Sequence, residues 1–222
     1  MPKYVTAVLV IGAIYLMLRQ CRKPAWWPGR LFLSGMNTSH GPLTAWGLTH
    51  VEVKRDFTIL DVGCGGGQTV QTLAAAASDG KVYGVDYSPT SVAATRSKNA
   101  GAVAAGRVDI REASVSKLPF PDGMFDLVTA VETHYYWPDL VADMREVLRV
   151  LKPGGTFVLI AEAYKGGGAL EVPTGLVMKV LGGNLLSASE HRELFTQAGY
   201  ADVALFEEKS KGWICGVGKR PS

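Results

Sequence analysis

The chain has 222 residues, 47% of them hydrophobic and 19% charged, with 26 Gly and 11 Pro dispersed along it. That length suits one domain with an appendage, and the composition excludes a disordered tail, a collagen and a coiled coil. Three cysteines, Cys21, Cys64 and Cys215, are too few for a disulfide framework and fit no zinc spacing, so they read as thiols of a reducing compartment. A net charge of +3, with no basic stripe interleaved with aromatics, does not describe a dedicated nucleic-acid binder.

The charge is unevenly placed. Residues 1–51 carry Lys3, Arg19, Arg22, Lys23 and Arg30 and no acid, whereas the other 171 residues carry 18 basic against 20 acidic side chains. Within that segment Tyr4–Leu18 is an uncharged, mostly apolar run of 15 residues. As a helix it spans about 22 Å at roughly 1.5 Å per residue, short of the ~20 residues that usually cross a bilayer core. Arg19, Arg22 and Lys23 follow it, then Trp26 and Trp27, the order of a cytoplasmic basic flank and an interfacial aromatic pair. A cleaved signal peptide fits less well, because its cations precede the apolar run and a small-residue cleavage site follows it. Residues 1–30 are therefore read as an apolar N-terminal helix with a basic and Trp flank, and 31–222 as the body of the protein. The expectation is attachment to the cytoplasmic face of a membrane through residues 4–27. The same helix packing on its own domain or on a second subunit stays open.

After the N-terminal run, Thr38–Val53 reads as a helix carrying Leu43, Trp46 and Val51 on or near one face. From Asp56 onward short apolar runs alternate with helical patterns, the signature of a parallel sheet with crossover helices. The predicted strands are Thr58–Val62, Lys81–Asp86, Arg107–Arg111, Phe125–Val131 and Thr156–Ala161. Between them lie an Ala-rich helix over Gln68–Ala77, one opened by Ser88 as cap and Pro89 in its first turn, and one over Asp139–Leu151 halted by Lys152-Pro-Gly-Gly. Tyr164–Asn184, within a 164–186 insertion, is Gly-rich and apolar and interrupts the alternation. Ser187-Ala-Ser-Glu190 is a capping box for a last helix ended by Gly199, and Val203–Glu207 and Trp213–Val217 read as closing strands.

The most informative stretch is Ile59-Leu-Asp-Val-Gly-Cys-Gly-Gly-Gly-Gln68, a strand entering a glycine turn and then a helix. Glycines let the backbone bend sharply and bring its N–H groups against a ligand. A dinucleotide fingerprint requires Gly at positions one, three and six; counting from Gly63, Gly65 fits but position six is Gln68. Asp86, at the end of the next strand, is well placed to accept both hydroxyls of a ribose. An adenosine without phosphates suits this pattern better than a nicotinamide dinucleotide.

LDVGCGGG, VYGVDYS, SKLPFPDGMFDLV and LRVLKPGG, in that order and spacing, resemble the class I S-adenosylmethionine-dependent methyltransferases, in the small-molecule branch like methyltransferase type 11. The resemblance covers Thr58–Ala161 strongly and the closing hairpin loosely. It implies an α/β, Rossmann-like, seven-stranded sheet whose last strand is antiparallel. It also implies S-adenosyl-L-methionine lying on Gly63, Cys64 and Gly65, with Asp61 orienting it, Asp86 on the ribose and Tyr87 near the adenine. The family often has an acid where this chain has Ser114, which would hold the adenine amino group more weakly; the Val115 N–H would bind a ring nitrogen. Cys64 is read as a small filler of the loop. Residues 36–55 correspond to a helix that folds over the cofactor as a lid, and 164–186 to a substrate-side insertion.

The sulfonium methyl is already activated, so the enzyme must mainly align acceptor, methyl and sulfur and exclude water, which supplies several kcal/mol of the barrier. A base is required only for an acceptor protonated at neutral pH. No metal is demanded and none is expected. The catalytic candidates lie in Glu132-Thr-His-Tyr-Tyr-Trp137. Glu132 would contact the cofactor ammonium or take the acceptor proton. His134 reads as a base or as a hydrogen-bonded loop residue, and Tyr135 joins the pair. Tyr135, Tyr136 and Trp137 would build an aromatic wall for a flat or cationic substrate, or simply fill core. Asn37, His40 and Trp46 are the lid-side substrate candidates, and His50 and His191 read as surface or capping residues. The function so implied is methyl transfer to a small, apolar or amphiphilic acceptor. A non-catalytic module that binds S-adenosylmethionine and regulates a partner is the alternative; a nicotinamide oxidoreductase conflicts with Gln68.

Overall fold

Runs rich in Val, Ile and Phe suit pleated, half-buried backbone, and seven of them form strands: β1 (Thr58–Val62), β2 (Lys81–Asp86), β3 (Val108–Glu112), β4 (Phe125–Val131), β5 (Leu151–Ala161), β6 (Ala201–Glu208) and β7 (Trp213–Lys219). The helices are α1 (Trp26–Leu48), α2 (Gln68–Ala76), α3 (Pro89–Lys98), α4 (Ala100–Ala104), α5 (Leu140–Val150) and α6 (Ala188–Ala198). This computed structural model describes residues 25–167 and 178–222, with Leu16, Gln20, Lys23 and Gly175 besides; of 26–28, 30–32 and 34–38 it describes the backbone alone. The membrane-contact segment read at 4–27 thus lies almost wholly outside the described residues, as does the middle of the 164–186 insertion. Among the described residues no helix is long and apolar enough to cross a membrane.

The strands join in the order β3-β2-β1-β4-β5-β7-β6. β1 to β5 pair in parallel, and β7 lies antiparallel between β5 and β6. Because successive strand side chains point to opposite faces, each strand feeds two cores. In β5, Phe157, Leu159 and Ala161 enter the layer with Met144 and Val147 of α5 and Leu194 and Phe195 of α6. Val158 and Ile160 enter the layer with Leu43 of α1, Val70 and Leu73 of α2 and Val92 of α3. Each such buried aliphatic stabilises the fold by about 1.5–3 kcal/mol.

Several boundaries depart from the sequence reading for local reasons. α1 begins at Trp26, well before the expected Thr38, and stops at Leu48, short of Val53; the Thr49 amide and hydroxyl both donate to the Trp46 carbonyl and close the last turn. β5 starts at Leu151, five residues before the expected Thr156. Its Lys-Pro-Gly-Gly is tied into the strand by the chain end, where Gly154 N–H donates to Arg220 O and Arg220 N–H to Gly155 O, each at 2.9 Å, with Gly154 at a left-handed φ of 74°. The caps follow the sequence: Ser88 accepts from Ser91 N–H, Asp139 from Ala142 N–H, and Ser187 and Glu190 form the capping box, with Gly199 left-handed at the far end. α1 reaches the sheet closely at Gly47, where any Cβ would collide with the Ile160 side chain.

Candidate functional site

A crevice opens at the carboxyl ends of β1, β2 and β4, the place where ligands of open α/β sheets bind. Its volume is about 300 Å³, at the lower end of the range for small-molecule sites. The floor is the glycine loop after β1. Gly63 takes a left-handed φ of 77°, and a Cβ there would run into Thr133. The Gly63 and Cys64 amides both donate to Val85 O, at 2.8 and 3.0 Å, stitching the loop to β2. The Thr95 hydroxyl donates to Gly65 O at 2.8 Å and anchors it to α3.

Asp86 ends β2 and locks the other side. One carboxylate oxygen accepts from Gly65 N–H at 3.0 Å and the other from Ser88 N–H at 2.8 Å. Burial pushes its carboxyl up, and the two backbone bonds oppose that shift. Tyr87 stands exposed at the mouth, with Lys23 Nζ 5.2 Å from its ring centre. Ser114 and Val115 complete this end of the lining.

The opposite end is built by the turn after β4 and by α1. Leu33, His40 and Thr44 line the crevice from α1; at about 100° per residue these positions fall within roughly 40° of one another on the helix. Glu132 follows β4 with a φ of 59°, a left-handed backbone that few non-glycine residues adopt. Its Oε1 accepts from Tyr135 OH at 3.1 Å and from Glu162 N–H. His40 Nε2 lies 3.6 Å from Glu162 Oε1, with the imidazole four-fifths buried and Glu162 more open. Burial pushes the Glu132 carboxyl up, and the Glu162 charge adds to it. For His40, burial alone would lower the imidazole, but Glu162 and Glu132 outweigh it and raise it above its ordinary value.

The structure gathers most of the sequence-selected residues into this one cavity: Gly63, Cys64, Gly65, Asp86, Tyr87, Ser114 and Val115 toward one end, and Glu132, His40, Tyr136 and Trp137 toward the other. Four others are placed elsewhere. Asp61 lies beneath the loop, 2% exposed, accepting from Thr129 OH at 2.7 Å; burial pushes its carboxyl up to about 7. Tyr135 is buried behind Glu132 rather than facing the crevice. His134 is fully buried on the far side, its Nε2 3.2 Å from Nε2 of His191. Trp46 packs on Trp213 and His50, because it lies about 200° around the helix from Thr44. The Asn37 side chain lies outside the described residues.

His191 is buried rather than superficial, and His50 stacks on Phe206 with ring centres 4.0 Å apart. Cys64 is buried against Gly84, as a filler would be, and burial pushes its thiol well up. Glu162 was missed by the sequence reading. The signal that could have found it is an acid directly after the apolar run of β5, the same position Glu132 holds after β4.

Residues 60–159 match the family model Methyltransf_11, described as a methyltransferase domain. The chain is 36% identical over 101 residues to the 27-O-demethylrifamycin SV methyltransferase of Amycolatopsis mediterranei, covering 46% of this chain and 37% of that protein. It is 31% identical over 147 residues to the 2-methyl-6-phytyl-1,4-hydroquinone methyltransferase of Synechocystis, covering 65% and 44% respectively. The chain thus spans less than half the length of these curated relatives. In fold it is similar to human N-acetylserotonin methyltransferase in complex with S-adenosylmethionine, with a TM-score of 0.72 at 16% identity over 88% of this chain and 56% of that one. The matched block, the strand order and the glycine loop agree in making residues 60–159 similar to a methyltransferase domain.

Proposed function

We propose that this protein transfers a methyl group from S-adenosylmethionine to a small-molecule acceptor. The observation that carries the reading is one cavity lined by the glycine loop and Asp86 toward one end and by Glu132, His40, Tyr136 and Trp137 toward the other. The glycine loop offers bare backbone to the cofactor. Asp86 presents its carboxylate to the ribose hydroxyls, and the Val115 amide is available to the adenine. Glu132, His40, Tyr136 and Trp137 then surround the methyl and the acceptor. The acceptor atom attacks the methyl carbon in line with the carbon–sulfur bond, and sulfur keeps the bonding pair as S-adenosylhomocysteine leaves. Enclosure beneath α1 excludes water and holds the reacting atoms in reach.

The lining and the relatives favour an apolar or amphiphilic acceptor: the latter are named for a demethylrifamycin and a phytyl hydroquinone. Lys23, from the basic flank after the apolar run, lies over Tyr87 at the crevice mouth, and the apolar run with its basic and Trp flank in the sequence supports residues 4–27 resting on the cytoplasmic face of a membrane. Two measurements test the reading. Calorimetry should give 1:1 binding of S-adenosylmethionine, and a panel of thiols, amines, phenols and quinols should yield S-adenosylhomocysteine with at least one class. Absence of cofactor binding overturns the proposal, and binding without turnover by any class leaves only a cofactor-binding module. Full-length protein should sediment with membranes on ultracentrifugation without detergent; protein left wholly in the supernatant overturns the membrane part.

A further inference from the structure

Three side chains from three separate elements meet at the acceptor end of the crevice: His40 from α1, Glu132 after β4 and Glu162 after β5. One ligating atom from each lies within 4.8 Å of the others. We propose that these residues form a binding site for a divalent transition-metal ion of the Mn²⁺, Co²⁺, Ni²⁺ and Zn²⁺ class.

The donor set is the first argument. One imidazole and two carboxylates suit borderline first-row ions, whereas Ca²⁺ demands six to eight oxygens and Mg²⁺ a near-octahedral oxygen shell. Bonds of about 2.1 Å place neighbouring ligand atoms about 3.0–3.5 Å apart, and His40 Nε2 already stands 3.6 Å from Glu162 Oε1. The remaining separations, at most 4.8 Å, need shifts of about 1–2 Å to reach that spacing.

Charge is the second. Among the described residues no Lys or Arg lines the crevice, so its carboxylates are balanced there by the His40 imidazole and not by a permanent cation.

Orientation is the third. The Tyr135 hydroxyl and the Glu162 amide both bond Glu132 Oε1, the kind of outer support that fixes a ligating carboxylate. Glu132 also holds a left-handed backbone, a conformation that costs on the order of 1–3 kcal/mol and persists where surroundings enforce it. Three protein ligands leave at least one position open, the composition of a catalytic rather than a structural site. Two of the three line the crevice, so the open position is available to an oxygen donor there. That an acceptor oxygen fills it rests on the methyl-transfer reading; binding of the ion does not.

The test uses tag-free, full-length protein titrated calorimetrically with MnCl₂, CoCl₂, NiCl₂ and ZnCl₂ in turn at pH 7.5. At least one ion should bind 1:1, and His40→Ala and Glu162→Gln should each weaken it tenfold or more. Co²⁺ should give visible absorption that both variants lose. S-adenosylhomocysteine affinity should stay within about threefold in Glu162→Gln, and both variants should keep the parent's circular dichroism spectrum, which shows that they are folded. If no ion binds 1:1, or if binding survives both substitutions unchanged, the site is overturned. S-adenosylhomocysteine failing to bind the parent protein would instead overturn the methyl-transfer reading and leave the ion's binding to stand or fall alone.

Discussion

The Tyr135 hydroxyl donates to Glu132 Oε1 at 3.1 Å and accepts from the Ala163 amide at 3.1 Å, so the acid after β4 is tied through one buried phenol to the segment after β5. Tyr135 is therefore a positioning residue. Replacing it with Phe removes one donor to Glu132 and leaves the Ala163 N–H without its acceptor. The expected result is a loss of about 1–2 kcal/mol in stability. Turnover should fall about tenfold, as S-adenosylhomocysteine release would record, with cofactor affinity unchanged. A variant that turns over like the parent shows that Glu132 needs no such support.

Asp86 is asked to serve two partners. It already ties Gly65 and Ser88 through their amides, and the ribose hydroxyls would approach the same carboxylate. Hydrogen bonds to a charged group are worth about 1.5–3 kcal/mol each, so Asp86→Ala should weaken S-adenosylmethionine binding by about a hundredfold or more in calorimetry. An unchanged dissociation constant would show that the ribose lies elsewhere.

The His134–His191 pair predicts acid sensitivity. His191 Nδ1 lies 2.8 Å from Ser187 O and must carry its proton there; its Nε2 accepts from His134, and His134 Nδ1 is left without a partner among the described residues. Burial depresses both imidazoles. The unfolded chain, whose histidines titrate near 6.5, then binds more protons than the folded one below that pH. Stability is full above about pH 6.5 and is lost as pH falls through it. Between pH 7.5 and 5.5 the parent's unfolding temperature should fall by a few degrees relative to that of His134→Leu over the same interval. An equal drop in that variant would assign the titration to other groups.

Asp61 predicts the opposite slope. Its folded carboxyl titrates near 7 because burial disfavours the charge, against about 3.9 when unfolded. Between those values the folded state holds the extra proton, so stability falls as pH rises from about 4 to 7. Asp61→Asn keeps an acceptor for Thr129 and removes the charge. It should raise the unfolding temperature of the cofactor-free protein more at pH 8 than at pH 5, by a few degrees for each kcal/mol recovered. Equal shifts at the two pH values would contradict the buried-charge account.

Much of the architecture is readable without coordinates. The strand at Thr58–Val62, the glycine turn, the Ser88, Asp139 and Ser187 caps and the Gly199 stop depend on residues a few positions apart, and local backbone chemistry decides them. Boundaries fail where a distant partner intervenes: Arg220 ties the Gly154–Gly155 pair into β5. The candidate site divides the same way. Gly63 and Gly65 share one turn and Asp86 ends the adjacent parallel strand, so their convergence was legible. Tyr136 and His134 are two residues apart, yet one lines the crevice and the other is buried against α6.

The amino-acid order by itself determined the alternating α/β plan, the nucleoside-type loop and the acid that closes it, since those rest on periodicity and on backbone freedom at a few glycines. Only the tertiary structure decided that His40, Glu132 and Glu162, drawn from widely separated stretches of chain, come within 4.8 Å of one another. Sheet order and the helix laid across its carboxyl edge bring them together. No sequence spacing encodes that meeting, because it is a property of packing.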